Sequence, residues 1–139
     1  MQRKEKASNL FLNNYNCAQS VIGAFEDKLP LGKDMLINMA TGFGGGMGKM
    51  QETCGAVTGS VMVLSSLIEV KSPEDKEKLN QHIRNFIMRF TNTHGSLNCR
   101  NLIPYNLRNE NDRRKAHEEK IFETKCTEYI KTAVEIVEK

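Results

Sequence analysis

The sequence predicts an all-α fold, a single-domain helical bundle of about five main helices around a buried central helix. Two observations lead to this prediction. Apolar residues recur at spacings of three and four in several long stretches, and no pair of alternating segments joined by a tight turn indicates a β-hairpin. The 139 residues suffice for one domain with its own core but not for two comfortable ones. We therefore expect one domain over residues 1–139.

The first predicted helix is amphipathic and runs from about Lys4 to Phe25. Cys17 lies on its apolar stripe and is expected to face inward. The stripe consists of Ala7, Leu10, Phe11, Ala18, Val21, Ile22 and Phe25. Asp27 and the Pro and Gly that follow end this helix, and a short second helix is predicted over Lys33–Ala40.

The central helix is predicted over Ala56–Val70, the longest apolar run of the chain. A buried strand competes for part of this run, but its length favours a helix and nothing pairs with it as a hairpin. The run is too short, and too interrupted by serine and threonine, to span a membrane. Cys54 falls at or just before the first helical turn. Unpaired N–H groups and the helix dipole favour a thiolate there, so we expect the pKa of Cys54 to be lowered.

Six glycines around Cys54 are candidate cofactor-binding positions: Gly44, Gly45, Gly46, Gly48, Gly55 and Gly59. The last two lie on one helix face and leave room for another backbone, a neighbouring cysteine or a cofactor. The glycine-rich loop before Cys54 has two equally good interpretations. It is either a tight or flexible turn, or a segment whose backbone comes close to a site containing Cys54. The loop matches neither nucleotide pattern, because Met50 follows Lys49 where a P-loop needs Ser or Thr and no strand precedes the glycines. We therefore expect no nucleotide.

The second half of the chain contains two long predicted helices. Ser72, followed by proline and two acids, is a strong signal for a helix start, and this helix is expected to end near His94. Cys99 then lies in a turn or single helical turn before Pro104. The last helix carries Cys126 on its inward stripe. That stripe consists of Phe122, Cys126, Tyr129, Ile130, Ala133, Val134 and Val137.

Charge and composition argue against several classes of protein. The net charge is only +3, and the basic residues of the charged segment 109–124 alternate with acids, which indicates a solvated helix face rather than a nucleic-acid interface. The N-terminus has no uninterrupted apolar region of the kind that export requires. We therefore expect a cytoplasmic protein that binds neither nucleic acid nor membrane. In the cytoplasm its four thiols would stay largely reduced.

The cysteines have no local metal or redox signature. Neither CxxC nor CxxCH occurs, so the patterns of zinc ribbons, ferredoxins, thioredoxin-like sites and covalent haem are all missing. From the residues alone, a free buried cysteine is the leading interpretation for any one of Cys17, Cys99 and Cys126. Cys54 stands apart because it lies at a helix start beside glycines.

Together, however, the cysteine segments resemble a known family. Cys17 in NCAQSV, Cys54 in GFGGGMGKMQETCGAVTG, Cys99 in a short polar segment and Cys126 on the last helix are similar to the C_GCAxxG_C_C family of redox-active proteins. The resemblance covers nearly the whole chain and implies a small helical domain with four signature cysteines and a redox role. The sequence is more distantly similar to the helical core of split-Soret cytochromes. It lacks their haem-attachment motif, so haem is not expected.

Three functions remain open at this point. The first is a thiol oxidoreductase or electron-transfer protein in which Cys54 is the activated thiolate and Cys17, Cys99 or Cys126 is its resolving partner. In the second, all four cysteines bind a metal ion or an iron–sulfur cluster. In the third, the chain is a non-catalytic helical interaction module. The sequence identifies no electron donor, acceptor or substrate, and the amphipathic first and last helices offer a surface for a homodimer.

Overall fold

A computed structural model describes residues 1–30 and 32–139 and confirms the all-α fold. The described residues form eight α-helices, two short 3-10 turns and one π-helical segment, without any named strand. The α-helices are α1 (Arg3–Leu12), α2 (Cys17–Ala24), α3 (Lys33–Met39), α4 (Gly55–Leu67), α5 (Pro73–His94), α6 (Cys99–Leu102), α7 (Glu110–Glu118) and α8 (Thr127–Glu138). The π-helical segment, Phe122–Cys126, leads directly into α8.

The first predicted helix is in fact two helices, so the prediction of one continuous helix over Lys4–Phe25 is wrong. The chain turns between α1 and α2, where Asn14 has a left-handed φ of 76°. Asn16 then caps α2, because its side chain accepts a hydrogen bond from the Gln19 N–H and the Gln19 side chain accepts one from the Asn16 N–H. Asparagine side chains compete in this way with a continuous helical ladder. The break makes Cys17 the first residue of α2.

The central helix is confirmed as α4, which lies inside the cluster of buried residues. Its first three turns are largely buried, whereas Ser65, Ser66 and Leu67 at its end are exposed. The helix packs against α2, α8 and α5. A Cβ placed on Gly59 would lie 2.9 Å from the carbonyl oxygen of Ala18, so α2 and α4 approach each other through backbone atoms. The expected close approach of another backbone is therefore confirmed.

The later helices begin and end largely as their local signals predict. Ser72 caps α5 by accepting a hydrogen bond from the Asp75 N–H, and Gly95 ends the helix with a φ of 88°. The short helix α3 and the single turn of α6 are confirmed. The charged segment is less regular than expected, because α7 ends at Glu118 and Lys120 has a left-handed φ of 54°.

Helix α8 completes the core by packing on α1, α4 and α5. Its residues Ile130, Ala133 and Val134 are fully buried, as the predicted apolar stripe requires. Helix α5 contributes Phe86 and Phe90 from the other side. Within the described part of the chain, no helix is both long enough and apolar enough to cross a membrane.

The contact between α2 and α4 leads to a stability prediction for Gly59→Ala. The added Cβ would meet backbone, 2.9 Å from the Ala18 oxygen, so the two helices would have to move apart. We expect this cost to exceed the roughly 1 kcal/mol that alanine gains over glycine in a helix. The free energy of unfolding should fall by about 1–3 kcal/mol, measured by urea denaturation.

Gly42→Ala is the matched control for this prediction. A Cβ at Gly42 would have no atom within 4 Å, and Gly42 has no left-handed φ. The control should change the free energy of unfolding by less than about 0.5 kcal/mol. A stabilised Gly59→Ala variant would show that α2 and α4 are not in backbone contact at this position.

Candidate functional site

The four cysteines line one cavity of about 460 Å³, although they are far apart in the sequence. All four are buried and carry free thiols. Three of them lie at the N-terminal ends of helices: Cys17 is the first residue of α2, Cys54 caps α4 and Cys99 is the first residue of α6. Cys126 ends the π-helical segment. Tertiary structure thus brings together the residues that helical periodicity alone could not place side by side.

Cys17 is positioned by the cap of its own helix. Besides capping α2, Asn16 donates from its side-chain nitrogen to the Thr41 carbonyl oxygen, at 2.9 Å. The Gln19 side chain donates to the Ile37 carbonyl oxygen, also at 2.9 Å. These bonds join the start of α2 to the end of α3 and the turn that follows it. The start of α2, and Cys17 with it, is therefore held beside residues 44–49, which we call the glycine loop.

Cys54 and Cys99 are held at the same side of the cavity by two short segments that run antiparallel. The Cys54 N–H donates to the Leu97 carbonyl oxygen at 2.8 Å, and the Cys99 N–H donates to the Glu52 carbonyl oxygen at 2.7 Å. Thr53 and Asn98 form an isolated antiparallel bridge between these bonds. We call residues 52–54 and 97–99 the backbone strap. The strap fixes the start of α4 relative to the start of α6.

The glycine loop covers the cavity with an unusual run of left-handed residues. The φ angles of Gly45, Gly46, Met47, Gly48 and Lys49 lie between 58° and 69°. This conformation costs a residue with a Cβ roughly 1–2 kcal/mol, so Met47 and Lys49 are strained. A Cβ on Gly46 would lie 2.9 Å from that of Cys99. These contacts favour the close-approach interpretation of the loop over the flexible one.

The six candidate glycines do not all lie at the cavity. Gly45, Gly46 and Gly55 line it. Gly44 packs instead against the Asn16 side chain, and a Cβ on Gly48 would meet open space. Gly59 serves the contact between α2 and α4. A Cβ on Gly55 would lie 2.9 Å from that of Cys17, so Gly55 is the position that lets a neighbouring cysteine approach.

Gln51 is a buried residue of the site that the sequence analysis missed. It has a left-handed φ of 58°, and its side-chain amide donates to the Tyr105 carbonyl oxygen and accepts from the Leu107 N–H, both at 2.8 Å. A hydrogen bond from the same side chain lowers the pKa of Cys99, although burial outweighs it. No local pattern marks this residue, because its partners lie more than fifty positions away.

The thiol of Cys17 interacts with those of Cys54 and Cys126, which line the same cavity. The pKa of Cys17 is raised well above its ordinary value, chiefly by its hydrogen bond to Cys126. The hydrogen bond with Cys54 acts in the opposite direction on Cys17, and burial raises the pKa further. Cys17 is therefore the thiol that interacts with both of the others.

The lowered pKa expected for Cys54 is wrong for the protein with all thiols reduced. The pKa of Cys54 is raised, first by the hydrogen bond to Cys17 and then by burial. The N–H groups of Ala56 and Val57 in the first turn of α4 do lower it, as the helix-start argument requires. Their effect is smaller than the cost of placing a charge in a buried site. Burial likewise raises the pKa of Cys99 to about 11.

Charged side chains line the more exposed part of the cavity, and three of them belong to the segment 109–124 that was predicted to be a solvated helix face. Lys49, Arg113, His117 and Glu123 all line it. Arg113 is half-buried and donates to the Leu107 carbonyl oxygen at 2.9 Å. Arg113 and His117 share a helix face with the fully buried Ala116. That spacing was a signal, present in the sequence, that this face of α7 turns toward the protein.

The cysteines as they stand do not form a preformed metal site. Among the residues that the structure describes, no group of three or more Cys, His, Asp or Glu side chains is placed so that it could hold a metal ion. Binding of a metal ion by the four thiols would therefore require their side chains to turn toward a common centre.

Comparison with known proteins agrees with this site. A small helical protein with four thiols around one cavity is of a kind suited to cysteine-based redox chemistry. The chain belongs to the C_GCAxxG_C_C family, described as "Putative redox-active protein", which matches residues 15–139. The chain is also 31% identical over 146 residues to an uncharacterized protein of Archaeoglobus fulgidus, in an alignment that covers 96% of this chain and 89% of that protein. No solved structure matches the chain.

The raised pKa values predict that the folded, reduced protein reacts slowly with iodoacetamide at neutral pH. Only a thiolate is alkylated, and a cysteine such as Cys99, with a pKa of about 11, stays protonated there. Its thiolate fraction at neutral pH should be about 100-fold smaller than that of an ordinary cysteine. Alkylation should accelerate steeply as the pH rises above about 9, measured by mass spectrometry of each cysteine peptide.

The same protein in urea is the control, because its cysteines regain ordinary pKa values on unfolding. They should then react readily at slightly alkaline pH. A Cys54 that reacts at neutral pH as fast in the folded as in the unfolded protein would contradict the conclusion that burial raises its pKa.

Proposed function

We propose that the protein is a thiol redox protein in which Cys17 and Cys54 interconvert between a dithiol and a disulfide. The observation that supports this best is the close approach of the two residues in one cavity, since a Cβ on Gly55, the neighbour of Cys54, would lie 2.9 Å from the Cβ of Cys17. Their positions are set by the contact between α2 and α4, where Gly55 lets the two helices approach each other. Cys17 is thus the favoured partner of Cys54 among the three that the sequence left open.

The proposed step conserves atoms and charge. Oxidation breaks both S–H bonds and forms one S–S bond, and it releases two protons and two electrons to a two-electron acceptor such as another disulfide. Both the dithiol and the disulfide are neutral, so neither state places a net charge in the buried cavity. This matters because an isolated buried charge is costly. The raised pKa values therefore fit a couple in which protons leave together with electrons.

Cys126 and Cys99 have different positions in this scheme. Cys126 lines the same cavity and interacts with Cys17, so it is placed to pair with Cys17 in its turn. Cys99 also interacts with Cys54, but its position is set by the backbone strap and not by the contact between α2 and α4. We propose that Cys99 is not part of the primary disulfide. Free thiols persist in reducing compartments, so the proposal also places the protein in the cytoplasm.

Limited oxidation tests this proposal. The reduced protein is treated with a small excess of an oxidised dithiol reagent, the remaining thiols are blocked with acid quenching, and the disulfide-linked peptides are identified by mass spectrometry. We expect one linked pair that contains Cys17 and Cys54, because these residues lie side by side in the cavity before oxidation. Cys99→Ser should form the same pair at an unchanged rate.

Cys17→Ser and Cys54→Ser are the informative variants, and each should lose the fast oxidation phase. Serine is close to cysteine in size, so circular dichroism can verify that the fold persists. A dominant Cys99–Cys126 disulfide in the wild-type protein would refute the assignment of the pair.

A four-cysteine metal or iron–sulfur centre is the second candidate. It is favoured by the fact that all four thiols line one cavity and that three of them lie at the N-terminal ends of helices, where a thiolate ligand is stabilised. The side chains would have to turn inward to bind a metal ion together. A bound ion would lower the pKa values of its ligands, whereas the pKa values of Cys17, Cys54 and Cys99 are raised in the reduced protein.

Elemental mass spectrometry of protein purified without oxygen and without an affinity metal separates the two candidates. The dithiol proposal predicts no stoichiometric iron or zinc. It also predicts that Cys99→Ser leaves the redox behaviour of the remaining pair intact. Near-stoichiometric metal that is lost in any one of the four Cys→Ser variants would establish the metal centre instead.

A further inference from the structure

We infer that the outer part of the cavity binds a small disulfide that carries an anionic group, with Arg113 and Lys49 holding that group beside the thiols. The inference rests on the proposed function, because it names the class of electron acceptor that the dithiol would reduce. Three independent features of the cavity support it: its charged side chains, two unused backbone donors and its apolar walls.

The first feature is a pair of cations without acidic partners. Neither Arg113 nor Lys49 forms an ion pair in the described part of the chain. Arg113 uses one nitrogen to donate to the Leu107 carbonyl oxygen, which anchors its side chain and leaves further N–H donors. His117 adds a third basic side chain, and Glu123 is the one acid that lines the cavity among the residues described. A carboxylate is the group that an anchored guanidinium binds best.

The second feature is the backbone of the glycine loop. Gly45 and Gly46 line the cavity, and their N–H groups donate to no acceptor among the residues that the structure describes. Lys49 belongs to the same left-handed run. Two free N–H groups and an ammonium group on one loop are a suitable set of donors for an anion.

The third feature is the apolar part of the cavity wall. It is formed by Phe11, Leu12, Leu102, Ile103, Leu107 and Phe122. The volume of about 460 Å³ lies within the range of about 300–1,000 Å³ that small-molecule pockets span. A ligand with a short carbon chain, an anionic end and a disulfide thus has a matching surface for each of its parts.

The exchange reaction conserves atoms and electrons. One thiol of the Cys17–Cys54 pair loses its proton and attacks the ligand R–S–S–R, which forms a mixed disulfide and releases one R–S⁻ that takes up the proton. The second thiol attacks the mixed disulfide in the same way and releases the second R–SH. The two cysteines are oxidised by two electrons, and the ligand disulfide is reduced to two thiols.

The test compares two small disulfides that differ in charge. The reduced protein is mixed with dithiodipropionate, which is a dianion, or with the neutral hydroxyethyl disulfide, and the rate of cysteine oxidation is measured over a range of concentrations. We expect the wild-type protein to prefer the dianion after correction for the intrinsic reactivity of each reagent with a free thiol. Arg113→Gln should lower the rate with the dianion about 10-fold, through a higher half-saturation concentration. Its rate with the neutral disulfide should change less than about two-fold.

Arg114→Gln is the matched control, because Arg114 is exposed on the same helix and does not line the cavity. It removes the same charge and should leave both rates unchanged. Lys49→Gln provides a second variant in case loss of the Arg113 hydrogen bond disturbs the fold, and it should also weaken selectively the reaction with the dianion.

The two proposals fail in different ways. If the wild-type protein reacts equally well with both disulfides and neither Arg113→Gln nor Lys49→Gln changes the ratio, the anion site is refuted while the thiol function stands. If neither disulfide oxidises the folded wild-type protein, both proposals are overturned.

Discussion

The close contact between α2 and α4 is the constraint on which the site depends. Gly55 and Gly59 carry no side chain on the face where Cys17 and Ala18 lie, so the two helices meet through backbone atoms. Packed protein interiors tolerate little extra volume, so larger side chains at these positions would separate the helices. The same contact that closes the core therefore brings Cys17 and Cys54 to one cavity. Core packing and proposed chemistry share one interface.

Two further structural features, the backbone strap and the glycine loop, complete the site beyond the contact between α2 and α4. The backbone strap ties the start of α4 to the start of α6 and thereby brings Cys99 to the cavity. The glycine loop then folds over the cavity in a strained, left-handed conformation. Gln51, which follows the loop, helps to stabilise this conformation with its two side-chain hydrogen bonds. Strained backbone in folded proteins clusters at functional sites. In this protein it lies directly beside the thiols.

Burial outweighs the helix dipole in this site. A helix start lowers the pKa of a thiol when the thiol remains accessible to water, and that reasoning applies to Cys54 considered alone. In the folded protein Cys54 is surrounded by apolar residues and by other thiols, and its pKa rises. A neutral dithiol–disulfide couple suits such surroundings better than a stable thiolate. A cation that enters with a ligand, or a bound metal ion, would instead lower the pKa of Cys54.

The sequence by itself determined the all-α fold and most of the helices, because periodicity and capping act over a few residues. Ser72 and Gly95 bound α5 as predicted, and the family resemblance identified the four cysteines. Local patterns missed the break at Asn14, where side-chain hydrogen bonds override the apolar stripe. Only the tertiary structure decided that the four cysteines line one cavity, that Gln51 lies beside Cys99 and that the pKa values of Cys17, Cys54 and Cys99 rise. These properties depend on contacts between residues distant in sequence and on removal of water, which no local pattern encodes.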